Sequence, residues 1–257
     1  METLIAIAMF VIGMILGSFV NVCIYRLPRK QSIIWPPSSC PGCGNRIRPY
    51  DNIPLISYLL LRGKCRHCKM PIHWRYPVVE LATGLLSVGL YFKFGLTSQL
   101  LSLSVLTLLL ITISFIDLEF KLILNKLTLL GLVLGSVLSL LLNNFTVKNV
   151  LLGFVVGGGV LFLVAILGNF VFRKESMGMG DIKMAAMIGV FLGAKGVGVS
   201  LFFAFVFAAL ICGVGMLSKR LQMQSYVPFG PFIALGTIFY LFAGETIVTW
   251  YLQRLNF

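Results

Sequence analysis

Apolar runs of about 18 or more residues recur along the whole chain, each long enough to cross a hydrocarbon core roughly 30 Å thick. They do not alternate polar with apolar as the strands of a membrane barrel would, so the class they imply is a polytopic helical membrane protein. Composition agrees. Of the 257 residues 58% are hydrophobic and 11% charged, whereas soluble domains carry roughly 25% charged residues. Spans are expected at 3–25, 77–94, 98–116, 126–143, 149–172, 182–194, 196–217 and 229–252, about eight in all. The sixth is short and ends in Gly193-Ala194-Lys195-Gly196, so seven spans with a longer or re-entrant element there is the alternative. The first segment has no basic n-region and no clear cleavage site, and reads as a retained span rather than a removed signal peptide.

The net charge of +13 is a hint of nucleic acid only in a soluble protein; in a membrane protein it reflects cytoplasmic loops. With the N-terminus outside, 17 of the 21 Lys and Arg fall on the cytoplasmic side and four outside. That is the asymmetry of the positive-inside rule. The partners implied are a lipid bilayer and no nucleic acid.

Three parts follow. Residues 1–25 are a first transmembrane helix, 26–76 a small cytoplasmic domain rich in Pro, Arg, Lys and Cys, and 77–257 a helical bundle. The small domain carries two C-x2-C knuckles, Cys40 with Cys43 and Cys65 with Cys68, at the spacing of a four-thiolate zinc site. Disulfides are the alternative, and a reducing cytoplasm disfavours them. Four thiolates saturate a tetrahedral ion, so zinc here would be structural, a staple for a segment with little core. His67 and His73 then have no necessary place as ligands. Cys23 and Cys212 lie in apolar runs and read as small hydrophobes.

The chain has only eight acidic residues. Asp117, in SFIDLEF, and Asp181, in GMGDIKM, both sit where an apolar segment meets a short loop. Under the orientation above, both fall at the cytoplasmic face. An ionisable group in or beside a span is a functional hypothesis by default. Each also has a plain structural reading, Asp181 as an N-cap and Asp117, with Glu119, as a charged helix end. Together they suggest two close carboxylates sharing one proton, one activating water while the other protonates a scissile carbonyl. A competing class is a zinc-stapled transporter, whose ionisable groups would lie nearer the bilayer midplane. Another is a non-catalytic scaffold of a pilus or secretion assembly.

The ordered set GSFVNVCIYRLP (17–28), CPGC, DNIPLISYLLLRGKC (51–65), CRHC, RYPVVE (75–80), FID (115–117), GMGDIKMAAMIGVFLG (178–193) and PFGPFIALG (228–236) resembles the type IV prepilin peptidases over nearly the whole chain. The resemblance implies a membrane aspartic endopeptidase. Such an enzyme removes the basic leader of type IV prepilins or pseudopilins at the cytoplasmic face of the bacterial inner membrane, with Asp117 and Asp181 as the essential pair. Many members then N-methylate the new amino terminus with S-adenosylmethionine. The sequence has no glycine-rich Rossmann turn for that donor; the small cytoplasmic domain, above the polar turn of Gly17, Ser18 and Asn21, is the natural candidate. Tight helix packing is the other reading of those three residues. Glu80 is expected to pair with a basic neighbour such as Arg75 or Arg26, with a role in methyl transfer the minority reading. The chain departs from the family at Ile123-Leu124-Asn125, where members commonly carry Ile-Pro followed by Asp or Asn.

Overall fold

The computed structural model describes residues 1–143, 145–172, 177–218 and 227–254. Nearly all of them are helical: α1 (Glu2–Arg26), α2 (Ile56–Leu60), α3 (Arg75–Phe94), α4 (Ser98–Phe120), α5 (Asn125–Leu142), α6 (Val147–Phe172), α7 (Met179–Leu217), α8 (Gly230–Phe239) and α9 (Glu245–Arg254). A π turn, Tyr240–Gly244, joins α8 to α9. Seven of these stretches are long and apolar enough to cross a membrane. The described chain divides into two compact units, Met1–Leu100 and Leu101–Phe257.

In the first unit α1 and α3 run antiparallel through small residues. A Cβ at Gly13 would lie 2.9 Å from Gly84 Cα, and one at Gly17 would lie 2.9 Å from Glu80 Cα. The backbones meet where side chains would keep them apart, the usual device for joining helices in lipid. Asn21 is 1% exposed and donates from Nδ2 to the Tyr76 carbonyl over 3.0 Å. Gly17 and Asn21 thus serve the helix contact, as the packing reading has it.

Residues 27–74 connect the two helices with little regular structure. The two knuckles repeat one pattern: Cys40 N–H bonds to Asn45 O and Gly44 N–H to Cys40 O, as Cys65 N–H bonds to Met70 O and Lys69 N–H to Cys65 O. The residue after each second cysteine has positive φ, 69° at Gly44 and 60° at Lys69.

In the second unit α7 decides the architecture. Its 39 residues would stretch about 58 Å as one rod at 1.5 Å per residue, far more than a bilayer core. Gly193, at φ 71° and ψ 177°, breaks it, in a backbone region open to glycine alone. A Cβ on Gly157 of α6 would touch both Ala185 and Val197, and one on Gly153 would touch both Gly189 and Gly193. Residues before and after Gly193 therefore lie level along α6, so α7 is a hairpin of two legs. Counted by legs the described bundle has eight long helical segments, with the turn where the sequence placed the end of its short sixth span.

The first leg packs on α5 as well as α6. Met187 fills the space at Gly131, Phe191 lies against Gly135, and Ser139 donates its hydroxyl to Val190 O over 2.8 Å. The second leg packs on α8, with Gly236 against Ser200 and Ala204, and the rings of Phe203 and Phe239 are 4.5 Å apart. Leu4, Ile7, Ile15, Leu163 and Phe202 are exposed, which suits a surface solvated by lipid.

Candidate active site and metal centre

Asp117 sits in the last turn of α4 and is 4% exposed. Its Oδ2 accepts the backbone N–H of Gly230, the first residue of α8, over 3.1 Å. The second residue of that helix is Pro231, which has no N–H, so Gly230 carries the donor facing the carboxylate. A helix N-terminus presents unpaired amides and positive partial charge, a favourable neighbour for an anion.

Asp181 lies in the first turn of α7 and is 7% exposed. The N-cap is Gly178, so the capping role open to Asp181 on sequence is filled by another residue. Its Oδ1 is buried without a hydrogen-bond partner among the described residues. Buried carboxylates are costly and concentrate at functional sites.

Ile123 ties the two positions together. A Cβ on Gly180 would lie 2.7 Å from Ile123 Cβ, and one on Gly230 would lie 3.4 Å from Ile123 Cδ1. One side chain therefore fills the gap between the residue preceding Asp181 and the residue bonded to Asp117. Asp181 follows the one residue and Asp117 accepts from the other, so the two carboxylates are anchored on either side of Ile123. Lys183 Nζ donates to Asn125 Oδ1 over 2.8 Å, a second tie, from the first residue of α5 to the start of α7. Leu124, at the position where a proline was expected, has φ −73°, within the range proline imposes. The loop keeps a proline-like path without the proline. Glu119 is exposed.

In the first unit the Sγ atoms of Cys40, Cys43, Cys65 and Cys68 lie within 4.8 Å of one another, a group able to hold a metal ion such as zinc. The N–H groups of Cys68 and His67 draw the Cys65 thiol down to about 6. Although the Met70 N–H pulls Cys68 the same way, desolvation and the other three thiols outweigh it, and Cys68 is pushed up to about 11. Four thiols this close cannot all ionise without a cation among them. His73 Nδ1 accepts the backbone N–H of Arg75 over 3.1 Å and is not part of the cluster.

Glu80 is 7% exposed, and its Oε2 accepts the N–H of Leu55 over 2.9 Å. Arg26, expected as one possible partner, instead donates to the carbonyls of Ser32 and Pro36. Sequence reasoning missed the Gly230 donor and the Asn125–Lys183 bond. PFGP at 228–231 was the visible trace of the first, since a proline just inside a helix start marks where an amide is presented.

A polytopic helical membrane protein with two buried aspartates at helix ends and a four-cysteine centre is a defined class, and the comparisons narrow it. Residues 11–94 match the Bacterial Peptidase A24 N-terminal domain, and residues 104–214 match the Type IV leader peptidase family. A Stutzerimonas stutzeri protein named prepilin leader peptidase/N-methyltransferase is 36% identical over 270 residues, 95% of this chain and 92% of that one. The Pseudomonas aeruginosa protein of the same name is 35% identical over 273 residues, 96% and 93% of the two chains. One from Myxococcus xanthus is 42% identical over 189 residues, 74% of this chain and 56% of its own. No solved structure matches. The chain belongs to the type IV leader peptidase family, as its resemblance on sequence implied.

Proposed function

We propose that this protein is an aspartic endopeptidase of the inner membrane that removes the basic leader from type IV prepilins or pseudopilins and then N-methylates the new amino terminus. The observation that carries the proteolytic reading is the pair of buried carboxylates flanking Ile123, Asp117 bonded to Gly230 and Asp181 with an unpartnered oxygen. Two carboxylates close enough to interact share a proton. The ionised one takes a proton from water as it attacks the scissile carbonyl, and the protonated one donates to the carbonyl oxygen. The pair titrates as a unit, so the acid and base roles belong to both. The apolar helix of the prepilin would lie against the bundle while the aspartates address its cytoplasmic end. The 17-to-4 distribution of Lys and Arg supports an outer N-terminus and a cytoplasmic site.

Residues 1–25, 26–76 and 77–257 would then act as a membrane anchor, a zinc-stapled domain and the proteolytic bundle. The ion held by Cys40, Cys43, Cys65 and Cys68 would be structural, since four thiolates leave no open position. S-adenosylmethionine, when bound, supplies an electrophilic methyl on a sulfonium. A cavity of about 590 Å3 lined from residues 18 to 80 is within the size range of small-molecule sites, so the N-terminal unit fits such a ligand.

The test is co-expression with a tagged prepilin, comparing wild type with Asp117→Asn and Asp181→Asn. Mass spectrometry reads the amino terminus of the pilin. Both variants are expected to insert normally and leave the leader in place; cleavage at the wild-type rate by either would sink the paired-carboxylate mechanism. One added methyl on the wild-type product checks the second activity.

A further inference from the structure

Among the described residues between 27 and 74 only Cys40 and Ser57 are buried. The apolar side chains of this stretch therefore point outward, and in α2 they do so together. Ile56, Leu59 and Leu60 stand at i, i+3 and i+4, on one face of the helix. All three are exposed, Leu59 and Leu60 at 72% and 78%. Ile53, just before the helix, is exposed with them. The residue turned inward is Ser57. A helix on a water-soluble domain is arranged the other way, with its apolar stripe on the core.

Hydrogen bonds fix this inside-out setting. Ser57 Oγ receives the Ile53 N–H over 3.1 Å and donates to Tyr50 O over 2.8 Å, which holds the polar side inward. Leu55, the N-cap of α2, has φ 58° and ψ −48°, a conformation that non-glycine residues rarely adopt. Such strain persists only where the surroundings over-determine it, and here Glu80 Oε2 holds the Leu55 N–H over 2.9 Å. That bond also sets the depth of α2. Glu80 lies five residues past Arg75, about 8 Å inside the start of α3. Gly17, packed on Glu80, lies nine residues before Arg26, about 14 Å inside the end of α1. With its 20 residues α3 reaches only about 30 Å, the thickness of the hydrocarbon core. Even with a side chain that leans toward the helix start, Glu80 therefore holds Leu55 beside the first two turns of a membrane span. The exposed face of α2 is set at the height of the bilayer surface.

We propose that residues 53–64 form an interfacial anchor, docked on the anionic phospholipids of the leaflet where α1 ends and α3 begins. Ile53, Ile56, Leu59 and Leu60 enter the boundary of the acyl chains, as the apolar face of an interfacial helix does. Charge selects the lipid. Residues 26–75 hold ten Lys and Arg and one acid, Asp51, which Arg66 already grips at both oxygens. Arg62 and Lys64, exposed directly after α2, can lay their stems along the membrane and reach phosphate with their charged heads. Trp74, exposed at the N-cap of α3, has the place at the interface that tryptophan favours. Composition implied a small domain out in the cytoplasm between two spans. The anchor instead makes one side of that domain part of the membrane surface, and it tethers the thiol cluster there through Cys65, the residue after Lys64.

The experiment uses the full-length protein in nanodiscs of phosphatidylcholine and phosphatidylglycerol in equal parts. A phosphatidylglycerol with a diazirine near its glycerol, and a phosphatidylcholine of the same build, are activated by light in separate samples. Mass spectrometry maps the labelled peptides. The wild type should take label between residues 53 and 64 as well as on the spans, and more from the anionic probe than from the neutral one. Leu59→Glu combined with Leu60→Glu removes no buried contact. It should lose the label at 53–64 and keep it on α1 and α3, with zinc content unchanged. Arg62→Gln combined with Lys64→Gln should cut labelling of 53–64 by the anionic probe about fivefold or more and leave that by the neutral probe as it was. Wild-type label on the spans alone would overturn the proposal. A cross-link from this face to a prepilin or to a second copy of the chain, in place of lipid, would overturn it too. Equal labelling of the wild type by both probes would overturn the choice of anionic lipid. The wild-type map decides even where a variant fails to insert.

Discussion

Gly230 gives its backbone N–H to Asp117 Oδ2 over 3.1 Å, joining residues 113 apart in sequence. The contact needs a residue without a side chain, because a Cβ there would lie 2.7 Å from the same Oδ2 and 3.3 Å from Asp117 Cγ. Gly230→Ala should therefore push the carboxylate out of place while leaving α8 free to form. Misplacing a reacting group by about 1 Å can cost on the order of a hundredfold. Leader cleavage is expected to fall between about tenfold and a hundredfold, mostly in kcat, with little change in thermal unfolding. Wild-type kcat in this variant would show that the amide does not position Asp117.

The bond from Lys183 Nζ to Asn125 Oδ1, 2.8 Å long, holds the start of α5, where the loop after Asp117 ends, to the helix that carries Asp181. Both side chains are exposed, so its net worth is small, about 0.5–1.5 kcal/mol. Asn125→Ala should lower kcat about threefold to tenfold if that energy is expressed in the approach of the two carboxylates. Asn125→Asp keeps an acceptor for Lys183 and should recover most of the loss. Equal rates in all three proteins would mean that Ile123 alone sets the spacing.

These two contacts mark where sequence reading ran out. The spans were legible because hydropathy and length dictate them, and even the turn at Gly193 left its trace in a short sixth run closed by glycines. The cysteine centre was legible because a C-x2-C knuckle brings its thiols together over a few residues. Proximity across 113 residues is a property of packing, and no local pattern encodes that a Gly230 amide meets Asp117. Glu80 illustrates the same limit. Its place one turn into a span suggested a basic partner, yet what it holds is a backbone amide of Leu55, a donor every residue but proline offers and no sequence motif can single out. Leu124 is the converse case, since its φ of −73° shows that the path usually taken by proline can be set by neighbours instead.

The hairpin of α7 depends on backbone conformation more than on space at Gly193. A Cβ there would meet Phe145 at 3.5 Å, an ordinary contact, but φ 71° with ψ 177° is open to glycine alone. Gly193→Ala should cost about 1–3 kcal/mol, read as a fall in the unfolding midpoint in detergent. Gly198 is the control. It is helical with nothing within 4 Å of its would-be Cβ, so Gly198→Ala should be neutral or stabilise by up to about 1 kcal/mol. A larger loss at Gly198 than at Gly193 would contradict the hairpin.

Removing the metal should loosen one unit and spare the other. Between residues 27 and 74, Cys40 is the only hydrophobic side chain that is buried among those described, so this segment has almost no core apart from its thiolate centre. In isolated zinc modules the ion supplies about 10–16 kcal/mol of apparent folding free energy, far more than so little burial could replace. Cys65→Ser or a strong chelator is therefore expected to abolish the bound zinc. Hydrogen exchange should then become fast at Cys40, Gly44, Cys65 and Lys69, whose amides close the two knuckles. The second unit has its own contacts, Gly153 against Gly189 and Ser139 bonded to Val190, and none of them passes through the thiolates. Amides of α5 and α6 should keep their protection in the same sample. Retained protection at Gly44 and Lys69 after complete metal loss would show that the segment folds without a staple.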